Sequence, residues 1–243
     1  MYQLAIKKYL EDHGFEAFRP KVVLFDMDGV LYDSMPNHAI AWQESMAQQG
    51  IQMTAEDAYA TEGARGVDTI RQMVKRQQGR VIDEAEAQRM YDVKSHIFHS
   101  LPEAPVMPGI QELMRKIKAS GLQVGVVTGS GQRPLIQRIL KDFADYVDET
   151  HITTAYDVER GKPAPDPYLT GLQKAGDLTP SEAIVVENSP LGVRAGYSAH
   201  IFTVAVNTGP LPDEELLMAG ANLIFPTMQE FCDHWHGLVP TEL

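Results

Sequence analysis

The chain has 243 residues, of which 44% are hydrophobic and 22% charged, and its formal net charge is −12. This length allows one large domain or two smaller ones, and the negative charge argues against nucleic acid or an anionic membrane as a partner. No apolar run approaches the roughly 20 residues of a membrane span. The first residues lack the apolar core of a secretory signal, and the single cysteine, Cys232, excludes an internal disulfide. We therefore expect a cytoplasmic protein that binds neither membrane nor nucleic acid.

The first strong signal is an apolar run, Val22–Phe25, which predicts a buried strand after an amphipathic N-terminal helix. Asp26 and Asp28 follow this strand, and Gly29 lets the backbone turn away. In open α/β sheets, ligands bind at the carboxyl ends of the strands. One carboxylate there can attack an electrophile, the second can carry protons, and together they can hold a hard cation.

The next segment, residues 34–106, has helical periodicity and little strand character. From Met107 onward, strands alternate with helices, which predicts a parallel sheet with helical crossovers. We therefore predict an α/β fold in two parts. A core is formed by residues 1–33 and 107–243, and an inserted helical cap over residues 34–106 covers the carboxyl edge of the sheet.

Two later loops carry groups that suit an anion. Thr128 ends a predicted strand, and its hydroxyl could cradle an anion together with the backbone N–H groups of Gly129 and Ser130. Lys162 lies just before a proline-stiffened loop, where its point charge could neutralise phosphate oxygens.

A fourth polar segment places Glu187 and Asn188 at the end of another predicted strand. Carboxylate and amide oxygens are hard ligands that suit Mg²⁺. Each of these segments alone could be ordinary turn or helix-cap chemistry. Four of them, each at or beside a strand end in one α/β pattern, instead predict a site for phosphoryl transfer, which depends on positioning and charge neutralisation.

With these four motifs in this order, over residues 21–232, the chain resembles the haloacid dehalogenase superfamily and most closely its β-phosphoglucomutase-like group. The resemblance implies a Rossmann-like, doubly wound parallel sheet with a helical cap, and Mg²⁺ as the cofactor. It also implies that Asp26 is a nucleophile that forms an aspartyl-phosphate and that Asp28 is the general acid/base. The other implied roles are phosphate binding (Thr128, Gly129, Ser130 and Lys162) and metal binding (Asp26, Asp28 through its carbonyl, Glu187 and Asn188).

The predicted cap loop departs from the sugar-phosphate mutases of this group. Glu62 stands where the mutases carry a lysine beside the loop glycine, and Gly66 stands where they carry an arginine for a distal phosphate. Arg65, one position away, could compensate, and His38 matches the mutase pattern. We therefore predict that Glu62, Arg65 and His38 select the substrate. Because a bisphosphate calls for cations on the cap, the replacements disfavour a mutase.

The first hypothesis from this loop is a Mg²⁺-dependent hydrolase of inorganic pyrophosphate, whose metal-bound form could sit against Glu62. An acidic residue on the cap loop resembles the pyrophosphatases of this branch, although Glu62 could also be a solvated loop acid or a partner for Arg65. The alternative is a β-phosphoglucomutase or a sugar-phosphate phosphatase, to which overall similarity and His38 point.

A third possibility is a non-catalytic phosphate-binding module, which the presence of Asp26, Asp28 and Lys162 disfavours. For either enzyme hypothesis the partner is a small phosphorylated substrate. We expect a monomer whose cap opens and closes by hinge motion near residues 34–37 and 103–108.

Overall fold

Parallel strands form one sheet at the centre of the computed structural model, which describes residues 2–239. In chain order they are β1 (Val22–Phe25), β2 (Gln123–Val127), β3 (Val147–Thr153), β4 (Ala183–Glu187), β5 (Phe202–Val206) and β6 (Leu223–Phe225). Within the sheet their order is β3-β2-β1-β4-β5-β6. The chain therefore builds outward from β1, first on one side and then on the other. This is the Rossmann-like, doubly wound order, and it confirms the predicted fold class.

Helices cover both faces of the sheet, and a separate group of helices forms an insert between β1 and β2. The helix α1 (Tyr2–His13) precedes β1, and a run of helices separates β1 from β2. The ranges of the remaining helices are α2 (Met35–Ala47), α3 (Ala55–Ala60), α4 (Gly66–Gln78), α5 (Glu84–Ser100), α6 (Ile110–Ala119), α7 (Arg133–Asp142), α8 (Asp166–Lys174), α9 (Pro190–Ser198), α10 (Asp213–Ala219) and α11 (Met228–Leu238). Among the described residues, no helix combines the length and apolar character needed to cross a bilayer.

Helices α2 to α5 share an apolar cluster of their own, and two of them, α3 and α5, begin with a side-chain N-cap. The Thr54 hydroxyl accepts a hydrogen bond from Asp57 N at 3.1 Å, and the Asp57 carboxylate accepts one from Thr54 N in return. Such a capping box satisfies two of the N–H groups that a helix start leaves unpaired. Buried apolar side chains of these helices pack into one cluster, which includes Trp42, Ile70 and Met73. This insert lies within the predicted cap range 34–106 and supports the proposed division of the chain.

The two linkers between the insert and the sheet run side by side. Asp33 N donates to Pro105 O at 3.0 Å, and Met107 N donates to Leu31 O at 2.8 Å. These bonds hold most of the second expected hinge, residues 103–108, against the first linker. Before Pro105, Arg138 contacts the second linker through Ala104 O and, at 3.3 Å, through Glu103 Oε1.

Strand β1 places the site because it lies at the centre of the sheet. All four of its residues, Val22–Phe25, are buried, as expected for a strand covered by helices on both faces. In the register of the sheet, Phe25 lies opposite Val126 of β2 and Val186 of β4. The residues that follow each of these positions therefore meet at one edge of the sheet.

Candidate active site

The four predicted motifs converge at the carboxyl edge of β1, β2 and β4. Asp26 follows β1, Thr128 follows β2 and Glu187 ends β4. Backbone hydrogen bonds extend the sheet to the first two of these residues, from Asp26 N to Val186 O at 3.0 Å and from Thr128 N to Thr153 O at 2.9 Å. The predicted juxtaposition is present in the structure, since the sheet backbone itself brings these side chains together.

Lys162 lies at the centre of this cluster and is almost completely buried. Its ammonium group donates to Asp26 Oδ1 at 2.5 Å, to Glu187 Oε1 at 2.6 Å and to Val127 O at 3.2 Å. Burial opposes its charge, but the two carboxylates outweigh burial and raise the pKa of Lys162. Burial also raises the pKa of Asp26, and Lys162 opposes that shift by favouring the carboxylate. Lys162 is therefore a fixed cation beside the predicted nucleophile.

Glu187 has donors on both of its carboxylate oxygens. Oε1 accepts from Lys162 Nζ and, at 2.7 Å, from the Tyr168 hydroxyl. Oε2 accepts from Asn188 N at 3.0 Å and from Ser189 N and Oγ at 3.3 and 3.2 Å. The side chain folds over the start of α9, where a methyl group on Gly192 would overlap it. With its oxygens engaged in this way, Glu187 is placed to hold Lys162 rather than to ligate a cation directly.

The side chain of Asn188, unlike that of Glu187, is not hydrogen-bonded within the described part of the chain. Its side-chain Oδ1 and Nδ2 are buried, and neither has a hydrogen-bond partner among the described residues. An unpaired buried amide costs about 1–3 kcal/mol, so this arrangement calls for a ligand. Gly29 makes room for it: its φ is +77°, and a methyl group there would overlap the Asn188 amide.

These residues fit a magnesium ion. Within residues 2–239, no group of three or more His, Cys, Asp or Glu side chains is arranged to hold a metal. A magnesium ion here would be held by the Asn188 amide oxygen and the Asp28 carbonyl together with Asp26, and all of these are oxygen types that Mg²⁺ accepts. The orphaned Asn188 oxygen favours Asn188 over Glu187 as the direct ligand, a choice that the sequence left open.

Asp28, the predicted acid/base, is held from the insert side. Its Oδ1 accepts from Ser34 Oγ at 2.6 Å and lies 3.4 Å from His38 Nε2. The Lys94 ammonium lies 2.8 Å from His38 Nδ1, and because an ammonium can only donate, it leaves the ring proton on Nε2, facing Asp28. Burial raises the pKa of Asp28, but His38 and Ser34 outweigh burial and lower it. The insert therefore stabilises Asp28 as a carboxylate.

Lys94 is a site residue that sequence reasoning missed. It is 4% exposed, and its ammonium lies 5.0 Å from the ring centroids of Trp42 and Phe98 and 6.0 Å from that of Tyr91. Aromatic faces stabilise a cation at such distances, whereas burial lowers the pKa of Lys94. In the sequence it looks like an ordinary polar position of a long helix. Only the packing of α5 against α2 places it in the site.

The cap-loop residues Glu62 and Arg65 have different surroundings in the structure. Glu62 lines the cavity, where burial raises the pKa of its carboxyl. Arg65 does not line it: its guanidinium pairs with Glu84 at 3.0 Å and reaches Asp68 at 3.9 Å. The expectation that Arg65 compensates for the missing arginine is not met, because the start of α4 directs it toward the start of α5. The suggested Glu62–Arg65 pair is likewise replaced by Arg65–Glu84.

A cavity of about 390 Å³ lies between the insert and the sheet edge. Asp26 and Asp28 lie in its wall, with Gly129 and Ser130 of the predicted phosphate loop beside them. The Thr128 hydroxyl accepts from Ser130 N at 3.0 Å, which stabilises that loop. The insert contributes polar and aromatic groups, which include His38, Trp42, Glu62, Tyr91 and Lys94. This volume and mixed lining are typical of sites for small organic ligands.

A doubly wound sheet, carboxylates and a lysine at its carboxyl edge, and a helical insert above them define a class of capped α/β hydrolytic enzymes. The chain belongs to the haloacid dehalogenase-like hydrolases, whose family model matches residues 20–200.

Several relatives are named for phosphorylated carbohydrates. Hexitol phosphatase A of Escherichia coli is 31% identical over 217 residues, which span 87% of this chain and 96% of that protein. The β-phosphoglucomutase of Bacillus subtilis is 28% identical over 84% of this chain and 88% of its own length. A solved structure from Bacteroides vulgatus, provisionally described as a β-phosphoglucomutase, is 46% identical. It covers 98% of this chain and 96% of its own, with a TM-score of 0.91.

Proposed function

We propose that this chain is a Mg²⁺-dependent phosphohydrolase that acts through an aspartyl-phosphate on Asp26 and takes small phosphorylated carbohydrates as substrates. One observation supports this proposal above the others. The buried Lys162 ammonium lies 2.5 Å from Asp26 Oδ1, while Asp28 is held beside it by Ser34 and His38. A nucleophile, a fixed cation and a positioned acid/base are the parts that phosphoryl transfer requires.

In the first step, Asp26 attacks the phosphorus atom and the bond to the leaving oxygen breaks. Asp28 gives that oxygen its proton, so that the leaving group departs as an alcohol. In the second step, Asp28 takes a proton from water, the water oxygen bonds to phosphorus, and the bond to Asp26 breaks. Phosphate leaves and Asp26 is restored. His38 and Ser34 favour the carboxylate form of Asp28, which is the form that accepts the proton from water in the second step. That proton is the one Asp28 gives to the leaving oxygen in the next cycle.

Asp26, the Asp28 carbonyl and Asn188 would hold the magnesium ion. When bound, the ion neutralises charge on the phosphoryl oxygens. Lys162 supplies a second positive charge to the same oxygens, and the N–H group of Gly129 adds a dipole, whereas the Ser130 N–H donates to the Thr128 hydroxyl and holds the loop. Because the helical insert of the same chain lies over these groups, we further propose that a monomer is the active unit.

The cavity supports a hydrolase over a mutase. A mutase has to hold two phosphate groups, which calls for a free cation on the insert. Among the described residues that line the cavity, the insert contributes one lysine, Lys94, and it is already engaged by His38 and three aromatic rings. Arg138 also lines the cavity, but it comes from α7 and pairs with Glu103 and Asp142.

The comparisons favour carbohydrate phosphates over pyrophosphate, because the relatives named above are carbohydrate phosphatases or mutases. One observation keeps pyrophosphate as a second candidate. Glu62, whose carboxyl has a raised pKa, lies in the cavity close to Asp28, His38 and Lys94. A carboxylate there would oppose a second anionic group unless that group carried its own metal ion, as metal-bound pyrophosphate does. In a carbohydrate complex, the same carboxylate would accept hydrogen bonds from hydroxyl groups.

A single panel separates these substrates. We would measure kcat/KM with Mg²⁺ for hexose and hexitol phosphates and for pyrophosphate, with the wild type, Asp26→Asn and Glu62→Gln. The first proposal is supported if a carbohydrate phosphate has the highest kcat/KM of the panel and the Asp26→Asn variant is inactive. A preference of about 100-fold for pyrophosphate, lost in Glu62→Gln, would replace it with the second. Conversion of β-glucose 1-phosphate to glucose 6-phosphate with a bisphosphate activator would overturn the argument against a mutase.

A further inference from the structure

Tyr168 has no part in the reaction described above, yet it lies inside the catalytic cluster. The residue is completely buried, and its hydroxyl lies 2.7 Å from Glu187 Oε1. The hydroxyl is the donor in this bond, because a carboxylate oxygen can only accept.

The hydrogen bonds of Lys162 show why such a donor matters. An ammonium group has three N–H donors. In this structure all three have acceptors, namely Asp26 Oδ1, Glu187 Oε1 and Val127 O. To donate to a phosphoryl oxygen, Lys162 must weaken or give up one of these bonds.

Glu187 is the partner best able to release Lys162. Its Oε1 keeps the Tyr168 hydroxyl as a donor when the ammonium turns away, and its Oε2 keeps Asn188 N and both groups of Ser189. Without the Tyr168 hydroxyl, Oε1 would be left unpaired in a buried position, which is unfavourable.

We infer that Tyr168 is a positioning residue. Its hydroxyl stays hydrogen-bonded to Glu187 Oε1 when the Lys162 ammonium leaves that oxygen, so that Lys162 can turn to the phosphoryl group of the substrate. This inference rests on the proposed role of Lys162 as a phosphoryl-binding cation. Lys162 and Tyr168 come from one segment, since Tyr168 lies in the first turn of α8 just after the proline-rich loop. The Lys162 ammonium is also 5.2 Å from the centroid of the Tyr168 ring.

Tyr168→Phe tests the hydroxyl alone, because the ring beside Lys162 is kept. Tyr9→Phe is a matched control: Tyr9 is also completely buried, and its hydroxyl donates to His200 O at 2.9 Å, with α1 placing it away from the catalytic cluster. Two quantities would be measured for each variant with Mg²⁺ present. These are kcat/KM for the best substrate of the panel and the dissociation constant of inorganic phosphate without turnover.

We expect Tyr168→Phe to lower kcat/KM about tenfold or more and to weaken phosphate binding by a similar factor. Tyr9→Phe should change both by less than about twofold while losing comparable thermal stability. In a Glu187→Gln background, where the charge that holds Lys162 is gone, Tyr168→Phe should have a much smaller effect on phosphate binding. Full additivity of the two substitutions would assign Tyr168 a purely structural role.

Lys162→Ala separates failure of the inference from failure of the proposed function. If the wild type hydrolyses nothing in the panel, or if Lys162→Ala binds phosphate as tightly as the wild type, the proposed function fails and the inference fails with it. If Lys162→Ala loses phosphate binding but Tyr168→Phe behaves like Tyr9→Phe, only the role of Tyr168 is overturned.

Discussion

The two walls of the cavity are built in different ways. On the sheet side, Asp26 and Glu187 leave the ends of strands and are joined by one buried ammonium. On the insert side, Lys94 is placed by aromatic side chains packed between helices, and its polar contact is one histidine nitrogen. Strand ends set positions through the backbone, whereas helix packing sets them through side chains that can be exchanged without changing the fold. This difference explains how one core can serve several substrates.

The largest expected effect concerns the sheet wall. Asp26→Asn keeps the size of the side chain but removes the nucleophile, so turnover should fall roughly a thousandfold or more. Steady-state hydrolysis of the best substrate, with thermal unfolding measured in parallel, would check this. If the Asp26→Asn variant turned over within about tenfold of the wild type, Asp26 would not be the group that attacks the phosphorus.

The second prediction concerns the metal on the same wall. Gly29→Ala should displace the Asn188 amide, because a methyl group there would overlap it and φ is +77°. The Mg²⁺ concentration for half-maximal activity should rise about tenfold or more. Gly14→Ala is the control, since Gly14 has a similar φ of +69° but open space around it. Equal Mg²⁺ dependence in both variants would contradict Asn188 as a ligand.

The third prediction addresses the insert wall. Lys94→Met keeps the aliphatic stem among the aromatic rings but removes the donor to His38, so Asp28 loses its orientation. We expect kcat to fall about ten- to a hundredfold, less than for Lys162→Met at the sheet wall. Thermal stability should stay the same or rise, because removing a buried cation lowers its desolvation cost. An unchanged kcat would mean that the Lys94–His38 contact does not position Asp28.

The smallest expected effect concerns an ion pair outside the cavity, between Lys21 and Glu182. Lys21, 2.5 Å from Glu182, and the Thr179 N–H lower the pKa of Glu182 to about 2. A lowered folded-state pKa adds stability above the unfolded pKa of about 4.3, and that stability is lost as the pH falls toward about 2. Glu182→Gln should therefore lower the melting temperature slightly at about pH 7 and not at about pH 2. The exposed Glu149 provides a control substitution, and an equal loss at both pH values would contradict the ion pair.

Much of the fold could be predicted from local pattern. The strand Val22–Phe25 and the run of helices within residues 34–106 lie where the sequence places them, because burial on both faces and helical periodicity are local properties. The strand-end motifs could be predicted as well, since parallel strands present their carboxyl ends at one edge. Lys94 and Tyr168 could not, because nothing in a helical pattern says what faces a given side chain.

The sequence by itself therefore determined the parallel α/β core, the helical insert and the meeting of the strand-end polar residues that we propose for phosphoryl transfer, since each depends on short-range pattern and on the geometry of parallel sheets. Only the tertiary structure decided which groups are free and which are engaged. In the structure, both carboxylate oxygens of Glu187 accept hydrogen bonds, whereas the Asn188 amide has no partner among the described residues. Arg65 pairs with Glu84, and the Lys94 ammonium lies against aromatic rings. The physical reason is that hydrogen-bond satisfaction and burial depend on neighbours distant in the chain, which a local pattern does not specify.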